Sequence, residues 1–372
     1  MNRISLMIAL ALALTGPLCA DPDAKEVFSR GEQALAEKKW KDAAKRFEEA
    51  IELEKNYAEA WNNLGLALNN QGHVFEAVEK FKNAVKINPR YTEALYNMGL
   101  AYENLDKELK LKGDDKTIKK VQKTQYLLAV EAYQKALSIT PQNDERAVAD
   151  THYRLGTLLR DLELKKDKKD QNFRDAIAHL EAALAIFPDT PECRNELGRT
   201  YDIIGRYPEA IEQFTKAIEG HKYYAQAYSN RGVARWHDGN WDLALADCRT
   251  AVEIDPRFAG GHYNFAELVF ARVQVLSANG DRSVVHQEVE KAIDEYKAAV
   301  ALDPKLGAAW LGLAKAYWAY HDYDMAKATY EKILASDKRN QEAKQALKDI
   351  KAELKSYESH IPKQYQSGDA KK

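Results

Sequence analysis

The sequence is poor in residues that staple, break or loosen a chain. It holds three cysteines, Cys19, Cys193 and Cys248, in no CxxC or CxxCH pattern, which excludes a disulfide framework and a cysteine-based metal site. Cys193 and Cys248 read instead as small buried hydrophobes. Only 10 prolines and 18 glycines interrupt 372 residues in which alanine, leucine, glutamate and lysine recur. This is a helical composition without strand signals. The 55 Lys plus Arg nearly cancel 57 Asp plus Glu, so no basic field points to nucleic acid. Catalytic motifs are missing as well. The nine histidines form no HExxH or i, i+4 pair, and there is no Gly-rich phosphate loop or GxSxG elbow. The expectation is a chain without catalytic residues, cofactor or metal.

Long apolar runs are missing after residue 20. The opening MNRISLMIALALALTGPLCA has Arg3, an apolar run from Ile4 to Leu14 and Ala20 just before Asp21, and it reads as a secretory signal over 1–20. The run is short for a bilayer span, although an uncleaved anchor over Ile4 to Ala20 is the alternative. Lipidation at Cys19 is less favoured, because Leu18 stands where a lipobox has a small residue. The short signal resembles a bacterial one, so export to the periplasm is expected, with the inner face of the outer membrane as second choice.

What the chain does contain is a period. Gly31, Gly65 and Gly99 lie 34 residues apart, and so do Ala43 and Ala77, Phe47 and Phe81, and Ala50 and Ala84. The segment 58–91 carries Trp61, Leu64, Gly65, Ala77, Phe81, Ala84 and Pro89. That set resembles the tetratricopeptide repeat, a pair of antiparallel helices, at nearly every signature position. The same offsets recur at 24–57, 92–143, 149–190, 191–224, 225–258, 259–306 and 307–340, with insertions in the third, fourth and seventh repeats. The resemblance implies an all-α, right-handed α-solenoid over 21–340. Apolar Ala343, Leu347, Ile350 and Leu354 predict a capping helix over 341–360, and 361–372 reads as a polar, disordered tail. Small residues such as Gly65 and Ala77 are expected where the two helices meet closely, despite the roughly 1 kcal/mol that mid-helix glycine costs relative to alanine. Pro89, Pro141, Pro188, Pro256 and Pro304 stop the second helices.

In such solenoids the first helix of each pair lines a concave groove. Asn63, Asn97, Asn230 and Asn264 occupy one equivalent place, two residues before the small position, and Arg154, Glu196 and Gly312 interrupt the row. Side-chain amides can both donate to and accept from the main chain of a bound segment. The row resembles the asparagine ladders of some family members, split into two short grooves. Solvated positions and duplicated ancestry are the bland reading of the same asparagines. Tyr96, Tyr153 and Tyr263, one residue earlier, and Trp236 and Trp318, near the ends of their helices, add aromatic surface suited to peptides or sugars. Packing between adjacent first helices is their alternative role. The clamp for a free C-terminal dicarboxylate, known in the family, is missing from this end of the array, where Phe28, Glu32, Glu93 and Asn97 stand.

The insertion over Lys107–Lys123 is rich in lysine and reads as an extension of both helices of the third repeat. It offers a lip for an anionic partner or for peripheral membrane contact, or else a solvated charged hairpin. The expected function is a protein-binding scaffold or adaptor of the cell envelope that holds a peptide or helical segment. A carrier of envelope polysaccharide and a non-catalytic subunit of an enzyme complex are the other readings. The sequence carries no sign of oligomeric state.

Overall fold

The computed structural model describes residues 22–108, 115–140, 144–278 and 282–360, without the side chains of 22, 106–123, 274, 276–278, 282–283 and 357–360. The signal segment, the tail and the Asn279-Gly280-Asp281 turn lie outside the described residues. Seventeen α-helices and no strand occur among those described. The chain divides at Pro188 into two compact lobes. In the N-terminal lobe α1 (Pro22–Ala36) pairs with α2 (Trp40–Leu53), α3 (Ala58–Asn70) with α4 (Val74–Ile87), α5 (Thr92–Glu108) with α6 (Asp115–Ile139), and α7 (Glu145–Leu164) with α8 (Arg174–Ile186). In the C-terminal lobe the pairs are α9 (Pro191–Ile203) with α10 (Tyr207–Gly220), α11 (Ala225–His237) with α12 (Trp241–Ile254), α13 (Ala259–Ala278) with α14 (Arg282–Leu302), and α15 (Gly307–Ala319) with α16 (Tyr323–Ser336). The closing helix α17 (Gln341–His360) packs on α16. Within each lobe the architecture is an all-α solenoid, each helix packing on the next.

Each hairpin closes around one side chain of its second helix. Phe47, Phe81, Tyr133, Leu180, Phe214, Cys248, Tyr296 and Tyr330 occupy the same place in the eight repeats, and none is more than 1% exposed. Burying an apolar side chain of this kind stabilises by roughly 1.5–3 kcal/mol. The sequence explained Gly65 by the close approach of two helices; the structure identifies the neighbour as a ring. A Cβ on Gly65 would lie 2.7 Å from Phe81 Cε1, and one on Gly99 would lie 2.6 Å from Tyr133 Cε1. Even alanine is too large there.

The turn inside each hairpin has its own demand. His73 N donates to Leu68 O at 3.0 Å, a six-residue closure that recurs at Lys39, Arg206, Asn240 and Asp322. It requires a left-handed residue just before. Gly72, Gly205 and Gly239 supply it, while Lys38 (φ 58°) and His321 (φ 65°) adopt it against their preference. The turn between repeats depends on more than proline. Asn88, Asp255, Asp303 and Asp337 each accept from the backbone N–H two residues on, at 2.9–3.1 Å. This is why the eighth repeat turns at Asp337 without a proline.

The insertions lengthen helices. α5 and α6 run to 17 and 25 residues and α13 and α14 to 20 and 21, against 13 or 14 in most other repeats. The fourth repeat differs, since only α7 grows, to 20 residues, and a short 3₁₀ turn at Lys168–Asp170 lies in the charged segment between α7 and α8. Cys193 and Cys248 are buried free thiols, and burial pushes each pKa up to about 12.

Candidate partner-binding face

First helices of consecutive repeats touch one another, α1 with α3 and α3 with α5 in one lobe, and α9 with α11, α11 with α13 and α13 with α15 in the other. The asparagine row lies along these seams. Asn97 Nδ2 donates to Asn62 Oδ1 at 3.0 Å, Asn230 Nδ2 to Asn195 Oδ1 at 2.9 Å, and Asn264 Nδ2 to Ser229 Oγ at 2.9 Å. Asn63 accepts from its neighbour Asn62 at 3.1 Å. Each of the three inter-repeat bonds spans 35 residues, one more than the repeat. A residue of the predicted row therefore meets a residue one place earlier in the preceding helix.

Those receiving residues, Asn62, Asn195 and Ser229, are 0–2% exposed, and sequence reasoning missed them. The signal was present, because Asn62 and Asn195 each stand one residue before the row. Asn97 is itself buried, at 8% exposure, whereas Asn63, Asn230 and Asn264 are half-buried. The structure thus joins Asn63 and Asn97 through Asn62 in the N-terminal lobe, and links Asn230 and Asn264 to α9 and α11 in the C-terminal lobe.

The aromatic residues are half-buried and divide by role. The Tyr96 hydroxyl bonds the Asp150 carboxylate, and its ring lies 5.5 Å from that of Tyr133. Burial first, then Asp150, raises its pKa. The Tyr263 ring lies 6.4 Å from that of Tyr296, whose hydroxyl donates to Glu267 at 2.6 Å. Tyr153 lies under the Arg154 guanidinium at 5.9 Å. Trp236 stacks on His237 at 5.4 Å, and Trp318 Nε1 donates to Glu353 of α17 at 2.8 Å. His237 in turn meets Asp202 at 3.0 Å, so the 35-residue step also links α9 with α11 and α15 with α17. The closing helix therefore continues the register of a first helix. Tyr96 and Tyr263 thus pack against second-helix rings of their own hairpins, and not only between first helices.

Two arrangements were invisible from sequence. Arg231 grips Asp247 with Nε and Nη2 at 2.8 Å each, Arg235 adds a third bond at 2.6 Å, and Asp247 is 5% exposed. These arginines stand where hydrophobic residues close other hairpins. In the fourth repeat His152 and His179 meet Nδ1 to Nδ1 at 2.8 Å, and burial lowers both pKa values. No group of three or more His, Cys, Asp or Glu that could hold a metal ion occurs among the described residues, and no helix among them is long and apolar enough to cross a membrane.

Three family models described as tetratricopeptide or TPR repeat match residues 31–72 and 70–106, 168–225 and 204–257, and 286–350, together more than half of the chain. The chain is 27% identical to the Hsp70-Hsp90 organizing protein of Triticum aestivum over 179 residues, covering 48% of this chain and 25% of that protein. It is 22% identical over 267 residues to DnaJ homolog subfamily C member 7 of Homo sapiens, covering 62% and 53%. It therefore spans from a quarter to about half the length of these two relatives. Among solved structures, the C-terminal part of a TPR repeat-containing protein of Cytophaga hutchinsonii matches with a TM-score of 0.50 at 19% identity, covering 76% of this chain and 98% of that one. PilW, a type IV pilus biogenesis factor, matches with a TM-score of 0.50 at 17% identity, covering 64% and 96%. With the 34-residue period and the eight closed hairpins, these matches make the chain a member of the tetratricopeptide repeat family.

Proposed function

We propose that this protein is a scaffold or adaptor that holds an extended or helical segment of a partner protein along its first helices. The observation that carries this reading is the amide seam. Asn97, Asn230 and Asn264 each use an N–H to reach the neighbouring helix, and no described residue donates to their carbonyl oxygens. A side-chain amide held in this way keeps a carbonyl and a second N–H for a ligand, which matches the alternating groups of an extended main chain. Because the seam is preformed, little ordering cost falls on the protein. That relatives include proteins named as chaperone organizers supports an adaptor role. The signal-like opening supports a place in the cell envelope, and the lysine-rich insertion supports peripheral contact with an anionic surface.

The half-buried Trp236, Trp318 and Tyr263 favour a second reading, in which the C-terminal lobe stacks on envelope polysaccharide. A photoreactive residue at Asn97 or Asn230, in the native envelope, separates the two. Capture of one discrete protein at both positions is expected. Capture of glycan, or capture only from a probe within Lys107–Lys123, would move the binding surface elsewhere.

A further inference from the structure

One turn before each place in the amide row, the N-terminal lobe carries an acid: Glu59 before Asn63, Glu93 before Asn97, Asp150 before Arg154. A four-residue step keeps both members on one helix face. All three carboxylates are exposed and none forms an ion pair among the described residues, nor does exposed Glu32 of α1, although Asp150 accepts from the Tyr96 hydroxyl and has Arg154 one turn on. Lys25 is the one base at the equivalent position. One of the acids, Glu93, meets the amides directly. Asn62 Nδ2, already bonded to Asn63, also reaches Glu93 Oε1 at 3.4 Å, and its Oδ1 receives Asn97. The Tyr91 hydroxyl sits in the same field: burial, then Glu93 and Glu59, and more weakly Glu32, raise its pKa, while a hydrogen bond with Asn62 opposes them. Asn97, 8% exposed, has a side-chain carbonyl that accepts nothing within the described protein.

We infer that the N-terminal lobe selects a basic segment, with lysine or arginine side chains paired to Glu59, Glu93 and Asp150 and its main chain held by the amides. This rests on the peptide-binding reading proposed above. The spacing is favourable. Packed helices lie about 8–10 Å apart, and a polyproline-type chain returns the same face every third residue, after about 9 Å. The occupant thus carries a base at every third position.

The test uses the full chain and three labelled, capped peptides of one length, with lysine, glutamine or glutamate at every third position, read by fluorescence anisotropy. The lysine peptide is expected to bind roughly tenfold more tightly than the glutamine peptide, to weaken with salt, and to exceed the glutamate peptide further. The E59Q/E93Q variant, altered only at exposed positions, removes most of that preference, bringing the lysine peptide's affinity close to that of the glutamine peptide. N63A/N97A weakens both. Equal binding of lysine and glutamine peptides, lost in N63A/N97A, would overturn basic selection while the peptide reading stands. No binding of any of the three would overturn both.

Discussion

The two lobes share one hairpin design and differ in what they display beside it. One turn before the amide row, the N-terminal lobe carries Glu59, Glu93 and Asp150, whereas the C-terminal lobe carries Glu192, Gln226, Gly260 and Ala308. Towards the ends of the first helices, Asn69, Glu103 and Arg160 stand where the C-terminal lobe has Asp202, Trp236, Phe270 and Trp318. Beside the amides that both lobes carry, one lobe is acidic and the other aromatic. The residues that close the hairpins are shared, so the difference lies at positions the fold leaves free. Repetition preserves the frame, and the frame lets each lobe carry separate chemistry.

Four changes break or sharpen this comparison. The largest effect is expected from Asp247→Leu, which leaves Arg231 and Arg235 without their shared carboxylate and costs about 3–5 kcal/mol. Denaturant unfolding with hydrogen exchange should show α11 and α12 losing protection while α1 to α6 keep theirs. Next, Gly99→Ala drives a methyl group against the Tyr133 ring and should cost about 1–3 kcal/mol. Ala266 holds the equivalent place in the seventh repeat, where the Tyr296 ring lies close to Gly312 of the next repeat, so Ala266→Gly should lose only the roughly 1 kcal/mol of helix propensity. Comparable losses at both sites would mean that the rings do not dictate the small residue.

Lys38→Gly and His321→Gly relieve the left-handed turns, one in each lobe, and should each stabilise by about 1 kcal/mol in thermal unfolding. The smallest effect is confined to the N-terminal lobe. Burial, with His179 adding to it, lowers the His152 pKa, and burial, opposed by Asp175, lowers that of His179. The unfolded chain then binds protons more readily than the folded one, so stability falls as pH drops below the ordinary histidine value of 6.5 towards the folded values. H152Q/H179Q should flatten that slope in exchange measured on α7 and α8.

The fold was legible because its determinants recur every 34 residues: Gly65, Phe81 and Ala77 have counterparts the eye can align. The site was half legible. The amide row was visible as a repeated place, but its partners Asn62, Asn195 and Ser229 were not, because neighbouring first helices are related by a step of 35 and not by the repeat itself. Arg231 and Arg235 were missed for a different reason. Charged residues at core positions look like a weakened repeat until the buried Asp247 that neutralises one of them is placed beside them. The exposed acids were overlooked because their meaning lies in the lack of a cation paired with them, which sequence does not show.

The central claim is that the amide seam is a gripping surface and more than a structural clasp. Titration of one captured partner segment against the native protein and N63A/N97A, with circular dichroism confirming equal helix content, tests it most directly. The account predicts a loss of affinity of roughly tenfold or more, as expected when hydrogen bonds from two amides are removed. Unchanged affinity in a variant that remains folded would contradict it and leave the asparagines with packing alone.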